Sequence, residues 1–293
     1  MTASTTVAGR QVLLGLIGSG IQRSLTPAMQ VREAAEHGLR AHYQLIDLDL
    51  TGSGPDQLPV LLQAARIMGF AGLNITYPCK QAVLPLLDEL SDEARAMGAV
   101  NTVVIRDGKL TGHNTDGSGW AWGFRRSLPD ADLSRVVLLG GGGAGAAIAH
   151  AVLRLGATQL VINDRDVAKA AELVDTLNRL YGAGRAIAEG DQAAALAGAT
   201  GLIHATPTGM DKLPGLPLPA ELLRPDLWVS EIVYFPIETA LLKAARAIGC
   251  RTSDGGNMAV GQAVGAFQLF TQLEADAARV DAHFRELLAQ RGN

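Results

Sequence analysis

The sequence predicts an α/β protein of two domains, the second a doubly wound sheet built to hold a dinucleotide. Three observations predict it. Short apolar runs of strand length alternate with helical stretches through most of the 293 residues, the pattern of a largely parallel sheet. Residues 135–166, R-V-V-L-L-G-G-G-G-A-G-A-A-I-A-H-A-V-L-R-L-G-A-T-Q-L-V-I-N-D-R-D, hold strand, glycine turn, helix, second strand and acid in one unit. The chain is also long enough for two separate cores.

In chain order, residues 12–17 read as a buried strand leading into Gly18-Ser19-Gly20. Pro27 suits the first turn of a helix with Thr26 as its N-cap, so residues 28–36 are expected to be helical. Residues 43–48 form a second strand, 58–68 a helix stopped by Gly69, and 70–76 a third strand running into Tyr77-Pro78-Cys79-Lys80. Residues 82–87 begin another helix. Residues 100–105 and 109–111, joined by Asp107-Gly108, form a hairpin by their turn chemistry. A helix over 119–127 bridges to the glycine-rich region, where 136–139 is a strand, 146–155 a helix closed by Gly156, and 159–162 a strand. Further segments follow at 166–180, 186–188, 191–196, 202–204, 228–234 and 237–248, and 258–273 and 276–290 read as helices. The loop 207–219 carries four prolines and is irregular.

Within the glycine turn each position has a physical job. Gly140 permits a tight turn, Gly142 lets the backbone approach a pyrophosphate, and Gly145 lets helix and strand pack closely. The helix N-terminus offers unpaired N–H groups to the phosphates. In a chain with 34 glycines the motif alone is weak and a structural turn explains it equally well; its context of strand, helix, second strand and acid makes it informative. Asp164 ends the second strand, where a carboxylate accepts from both ribose hydroxyls of NAD and repels the 2′-phosphate of NADP. Arg165, next door, can pair with that phosphate. Asp166 draws some of that charge or caps the following helix. NAD is therefore favoured, with NADP open through Arg165.

Composition excludes several classes. With 48% apolar and 18% charged residues the chain is compact rather than disordered. A net charge of −4 without a basic run argues against nucleic acid and anionic membranes. The segment M-T-A-S-T-T-V-A-G-R lacks the apolar centre of a signal peptide, and no apolar stretch is long enough to span a bilayer. Cys79 and Cys250 are far apart with no C-x-x-C, which points to a reduced cytoplasmic protein without disulfide or zinc. His113 and His204 stand alone and read as ordinary polar residues rather than metal ligands. The absence of G-x-S-x-G leaves no case for a serine hydrolase.

The residues able to act on a substrate are individually unremarkable. Lys80 follows a strand end, where α/β sheets present functional side chains, but most lysines are solvated surface charges. Asp116 can cap a helix, Asn74 and Asn101 can satisfy turns, and Ser24 and Thr26 can be caps. Together, hydroxyls and amides at strand ends with one lysine and one aspartate suit a small polyhydroxylated acid, which needs many directed hydrogen bonds and little apolar surface.

Several motifs in order resemble those of the shikimate dehydrogenase family, most closely its quinate/shikimate branch that accepts NAD. They are Ser24-x-Thr26-Pro27, G-L-N-I-T-Y-P-C-K at 72–80, A-V-N-T at 99–102, H-N-T-D-G at 113–117, G-G-G-G-A at 140–144, A-T-P-x-G-M at 205–210, and Gly256-x-Met258 with Gln262-Ala263. The resemblance covers essentially the whole chain. It implies an N-terminal, mainly parallel α/β substrate domain over 1–117 with 255–293 and a Rossmann domain over 118–254, the C-terminal helices returning to the first domain. It implies that Ser24 and Thr26, with Tyr234, bind the substrate carboxylate, and that Asn74, Thr76, Asn101 and Gln262 bind ring hydroxyls. Lys80 and Asp116 would be the catalytic pair. Gly140, Gly142, Gly143, Ala144 and Gly145 would cradle the dinucleotide, Asn163, Asp164 and Arg165 would select its adenosine end, and Ala205, Thr206, Pro207, Val233, Gly255 and Met258 would line the rest of its cleft. NADP-dependent members typically carry Asn-Arg-Thr where this chain has Asn163-Asp164-Arg165.

The implied chemistry moves a hydride between NAD(P) and the ring secondary alcohol of quinate or shikimate. Lysine acts as base only if desolvation or a cationic neighbour lowers its pKa; protonated, it donates to the developing alkoxide. Biosynthetic members usually have Ser-x-Ser where Thr26 stands here, and Pro and His just before it, where this chain has Gly20 and Gln22-Arg23. The methyl of Thr26 reshapes the carboxylate end of the pocket, so mixed substrate use is expected, one methyl being worth about 1–3 kcal/mol. Three other readings stand beside this one: an NADP-dependent biosynthetic shikimate dehydrogenase, an aminoshikimate-type enzyme, and a catalytically silent NAD-binding sensor, against which Lys80 and Asp116 argue. The expected protein takes a small-molecule substrate, binds no metal, nucleic acid or membrane, and is a cytoplasmic monomer or homodimer.

Overall fold

The computed structural model describes residues 9–291; the start of the segment read above as lacking a leader, residues 1–8, lies outside them. Two compact units divide the chain, one reaching Asn114 and resuming at Ala263, the other Thr115–Gln262. Residues 115–117 and 255–262, assigned to the first domain from the sequence, thus pack with the second unit.

The first unit is built on six strands, β1 (Gln11–Gly18), β2 (Arg40–Asp47), β3 (Phe70–Ile75), β4 (Glu89–Leu90), β5 (Thr102–Arg106) and β6 (Lys109–His113), in the order β2-β1-β3-β5-β6-β4. β1 runs parallel to β2 and β3, whereas β5 is antiparallel to both β3 and β6. The β5–β6 hairpin turns through Asp107 and Gly108, both at positive φ (52° and 75°), as an Asp-Gly connection requires. Near-continuous apolar runs in β1 and β3 follow from burial on both faces. Ile17, Leu73 and Ile75 pack with Leu58, Leu62 and Val83, while Leu14 and Leu16 pack with Ala266 and Phe270.

Local chemistry corrects three sequence readings here. The helix Thr26–Glu36 has Leu25 at its N-cap, already in helical dihedrals, so Thr26 lies in the first turn and makes no capping bond. The expected helix over 82–87 is a single turn, Cys79–Ala82, and then a 3-10 turn, Leu84–Leu86. Pro85 removes an N–H and crowds the preceding turn, so no α-helix continues through it. The short helix Asp92–Met97 escaped notice although Ser91 caps it, accepting from the Ala94 N–H at 3.2 Å.

All six strands of the second unit are parallel: β7 (Arg135–Leu139), β8 (Gln159–Asn163), β9 (Ala186–Ala188), β10 (Gly201–His204), β11 (Trp228–Glu231) and β12 (Thr252–Ser253). Their order, β12-β11-β10-β7-β8-β9, reverses direction between β7 and β10, the switch point at which such sheets bind ligands. Helix starts differ from the sequence reading at Gly143, Asp116 and Ala240 in place of 146, 119 and 237. The last of these is set by Thr239, whose hydroxyl accepts from the Leu242 N–H. The strand expected to reach 234 ends at Glu231, whose carboxylate takes the Val233 N–H and shares that of Ile232, which also donates to His204 O at 3.2 Å. Asp166 does cap the helix Val167–Tyr181, accepting from the Lys169 N–H.

The division between units falls within the helix Gly255–Thr271. In the first unit the final helix, Ala277–Arg291, packs against Thr26–Glu36, where Arg279 grips the buried carboxylate of Glu33 in a two-point pair of 2.9 and 2.7 Å.

Candidate functional site

In the first unit the candidate residues gather at the C-terminal ends of β1 and β3. Parallel pairing aligns Ile17 with Ile75, and the loops beyond stay together through Thr76 N–H to Ile17 O and Ser19 N–H to Tyr77 O, both 2.9 Å. Half-buried Asn74 sits at the centre of a polar cluster. Its Oδ1 accepts from the Tyr43 hydroxyl at 2.7 Å, and its Nδ2 donates to Thr102 Oγ1 at 3.1 Å. Thr102 in turn donates to Oδ1 of buried Asn101 at 2.9 Å. Asn74 therefore organises Asn101 as well as facing the loop ends. Burial pushes the Tyr43 phenol far up, so it remains a donor. Lys80 lies in the turn Cys79–Ala82, and its backbone carbonyl accepts from Val100 N–H, tying that turn to the Asn101 segment. Cys79 is fully buried, and burial pushes its thiol up.

Ser24 and Thr26 lie on the loop after β1, with Ser24 Oγ accepting from the Thr26 N–H at 3.3 Å. Asp47 at the end of β2 holds that loop, receiving the Gly20 and Ile21 N–H groups and the Gln22 amide at 3.0–3.1 Å. Burial pushes its carboxyl up, but those bonds and the one from Asp49 N–H outweigh it and hold it below the usual range. Sequence reasoning missed Asp47, Tyr43 and Thr102, because a strand-end acid or a hydroxyl carries no spacing signature.

In the second unit Asp116 opens the helix Asp116–Ser127 as its first residue, not as its cap. It is buried, and the Gln262 side-chain amide donates to its Oδ1. Tyr234 is half-buried. Val233 and Gly255 approach so closely that a Cβ on Gly255 would lie 2.4 Å from Val233 O. Met258 is buried in the core cluster with Trp120 and Ile203.

The glycine turn joins the other candidates of this unit. Gly140, at φ +96°, lies against the β10 loop, where a Cβ would meet Ala205 O and Thr206 Cγ2 at 2.9 Å. Asp164 Oδ2 accepts from Gly141 N–H at 2.6 Å and Oδ1 from Asp166 N–H at 2.9 Å. Its carboxylate thus pins the turn while retaining acceptor capacity. Asn163 donates to the carbonyls of Glu189 and Gly190, so its amide ties β8 to the segment after β9. Arg165 is exposed and makes no hydrogen bond or ion pair among the described residues. The helix Gly143–Arg154 begins without a side-chain cap, and a Cβ on Gly143 would meet nothing within 4 Å. An uncapped N-terminus, an open glycine face and an acid at the strand end fit a dinucleotide: Gly142–Ala144 would take the pyrophosphate and Asp164 the ribose.

Pro207 is exposed beside half-buried Ala205 and Thr206. His204 is not the isolated polar residue the sequence suggests, for it is fully buried between Glu231 and Thr206. No group of three His, Cys, Asp or Glu among the described residues could hold a metal ion. Nor is any helix among them long and apolar enough to cross a membrane.

An all-parallel switch-point sheet with this turn in one unit, and amides and a lysine at the strand ends of the mixed sheet in the other, define a two-domain α/β protein of the dinucleotide-binding class. Residues 16–103 match the shikimate dehydrogenase substrate binding domain. A shikimate dehydrogenase (NADP(+)) of Streptomyces avermitilis is 57% identical over 277 residues, 94% of this chain and 95% of the relative. A quinate/shikimate dehydrogenase (NAD(+)) of Corynebacterium efficiens is 49% identical, covering 94% and 98%. The structure of quinate dehydrogenase from Corynebacterium glutamicum in complex with NAD superposes with a TM-score of 0.90 at 46% identity, covering 95% of this chain and 100% of that one. The chain belongs to the shikimate dehydrogenase family.

Proposed function

We propose that this protein interconverts a ring secondary alcohol and its ketone on quinate or shikimate, using NAD in preference to NADP. The observation that carries this reading is the clustering of Ser24, Thr26, Asn74, Thr76, Asn101 and Lys80 at the C-terminal ends of β1 and β3, or on the segments tied to them. That set offers many directed hydrogen bonds and little apolar surface. Ser24 and Thr26, with Tyr234, take the carboxylate; Asn74, Thr76, Asn101 and Gln262 take ring hydroxyls.

Gly140, Gly142, Gly143, Ala144 and Gly145 would hold the pyrophosphate, Asn163, Asp164 and Arg165 the adenosine end, and Ala205, Thr206, Pro207, Val233, Gly255 and Met258 the remainder. Bound there, the nicotinamide supplies a hydride acceptor or donor. Lys80 takes the proton of the reacting hydroxyl in oxidation and, protonated, returns it to the alkoxide in reduction. Asp116, whose Oδ1 accepts from the Gln262 side-chain amide, orients that hydroxyl. On the same reading the protein is a cytoplasmic monomer or homodimer, the compartment being supported by two buried free thiols.

A second reading, an NADP-dependent biosynthetic shikimate dehydrogenase, is favoured by one observation: Arg165 is exposed and makes no hydrogen bond or ion pair among the described residues, free to meet a 2′-phosphate. Initial rates with quinate and shikimate, each with NAD and NADP, separate the two. Turnover of quinate with NAD and little with NADP supports Asp164 as selector and Thr26 as the mark of quinate use. Turnover of shikimate alone with NADP makes Arg165 the dominant contact and overturns the NAD preference.

A further inference from the structure

The end of β10 carries a hydrogen-bonded relay that the reaction does not require of any core residue. His204 and Glu231 are 0% and 1% exposed. His204 Nδ1 lies 2.8 Å from Glu231 Oε1, and its Nε2 lies 2.6 Å from Thr206 Oγ1. The carboxylate of Glu231 also accepts from the Ile232 and Val233 N–H groups at 2.9 and 3.0 Å and from the Thr239 hydroxyl at 3.0 Å. Surrounded by donors, Glu231 acts as an acceptor throughout, so Nδ1 must carry a proton and donate to it. With the imidazole carrying that single proton, Nε2 is an acceptor, and the Thr206 hydroxyl spends its one proton on it. Thr206 Oγ1 also accepts from the Thr208 N–H at 3.3 Å. Only acceptor capacity is left on the outer side of that oxygen.

We propose that His204 and Glu231 are positioning residues that fix the hydroxyl of Thr206 as an acceptor-only contact for the dinucleotide. The loop would thus recognise a donor on the ligand, a ribose hydroxyl or a carboxamide N–H, and discriminate against an acceptor placed there. This rests on the reading of 205–207 as a dinucleotide-binding loop. A buried imidazole and carboxylate are costly to desolvate, and an apolar pair would fill the same core volume without that cost. The relay also reaches the glycine turn, because Thr206 Cγ2 is among the atoms a Cβ on Gly140 would meet.

The test is a double-mutant cycle read by NADH binding, measured by calorimetry and by cofactor fluorescence on the whole chain, with kcat and KM for the cyclic acid alongside. Thr206→Val and His204→Leu are each expected to weaken NADH binding by about 3- to 10-fold, the worth of one hydrogen bond. KM for the cyclic acid stays within twofold. Thr206→Ser, which keeps the hydroxyl, binds as wild type. Because both changes break the same relay, the double variant is expected to be no weaker than the poorer single. Should His204→Leu not fold, His204→Asn takes its place in the cycle. NADH binding by Thr206→Val equal to wild type, or full multiplication of the two penalties, overturns the proposal. If wild-type protein binds neither NADH nor NADPH, the dinucleotide reading itself fails, an outcome distinct from normal binding that the variants leave unchanged.

Discussion

Gly145→Ala is expected to destabilise the second unit and loosen dinucleotide binding together. A Cβ at position 145 would stand 1.9 Å from the carbonyl oxygen of Gly140 and 2.9 Å from its carbon. Both are backbone atoms, so no side-chain rotation relieves the contact, and the turn or the helix must shift by more than 1 Å on the usual van der Waals separation. Gly140 has little room to retreat, because its N–H donates to Asn163 O at 2.8 Å and its φ of +96° already defines the turn. Overpacking of this kind costs about 1–3 kcal/mol, against which the better helix propensity of alanine returns at most about 1. Gly143→Ala is the control, since its Cβ meets nothing within 4 Å. There the change stabilises by a few tenths to about 1 kcal/mol through the unfolded state, yet puts a methyl on the face read as the pyrophosphate cradle. Urea unfolding followed by circular dichroism gives the stabilities, and NADH titration the affinities. Both variants are expected to bind less tightly, with stability moving in opposite directions. An unfolding midpoint for Gly145→Ala equal to wild type would refute the close approach of helix and turn.

Lys80→Ala is expected to reduce kcat by about 10²–10⁴-fold with little change in KM for the cyclic acid; steady-state kinetics decide it, and a rise in KM with kcat intact would remove Lys80 from proton transfer. Asp164→Asn keeps an oxygen for the Gly141 N–H but removes the charge, so the ratio of kcat/KM with NADP to that with NAD should rise about tenfold. Burial, reinforced by Arg154, pushes His150 down to about 4, so the folded state holds it neutral where the unfolded chain would bind a proton. Stability from this group is complete above about pH 6.5 and is lost as pH falls toward 4, and the drop in Tm between pH 7 and 5 should be shallower in His150→Gln. Equal slopes for variant and wild type would assign that drop to other groups.

Much of the architecture was legible because local rules and the global fold agree. Strand, glycine turn, helix and Asp164 are adjacent in sequence, and period and turn chemistry place them without tertiary information. Asp107-Gly108 specifies its hairpin in the same way, and Asp166 its helix start. Readings failed where a neighbour overrode a local signal. Thr26 lost its capping role to a helix that begins one residue earlier, Pro85 cut a helix short, and Glu231 ended its strand by taking the Val233 N–H.

What only tertiary structure decided are the contacts between residues far apart in sequence. The strand order across the switch point brings Gly140 against Ala205 and Thr206. Nothing in the spacing of Tyr43, Asn74 and Thr102 predicts that they share one network, and nothing in the sequence around Asp47 predicts that it holds the Ser24 loop. His204 is the sharpest case. Its hydroxyl partner, Thr206, lies two residues on, but its carboxylate partner is supplied by the adjacent parallel strand, 27 residues away. Chain-local patterns determine which elements form, because they act through backbone conformation and hydrophobic period. Which polar groups meet is determined by strand pairing, because only the folded sheet removes them from water and makes an unpaired donor or acceptor costly.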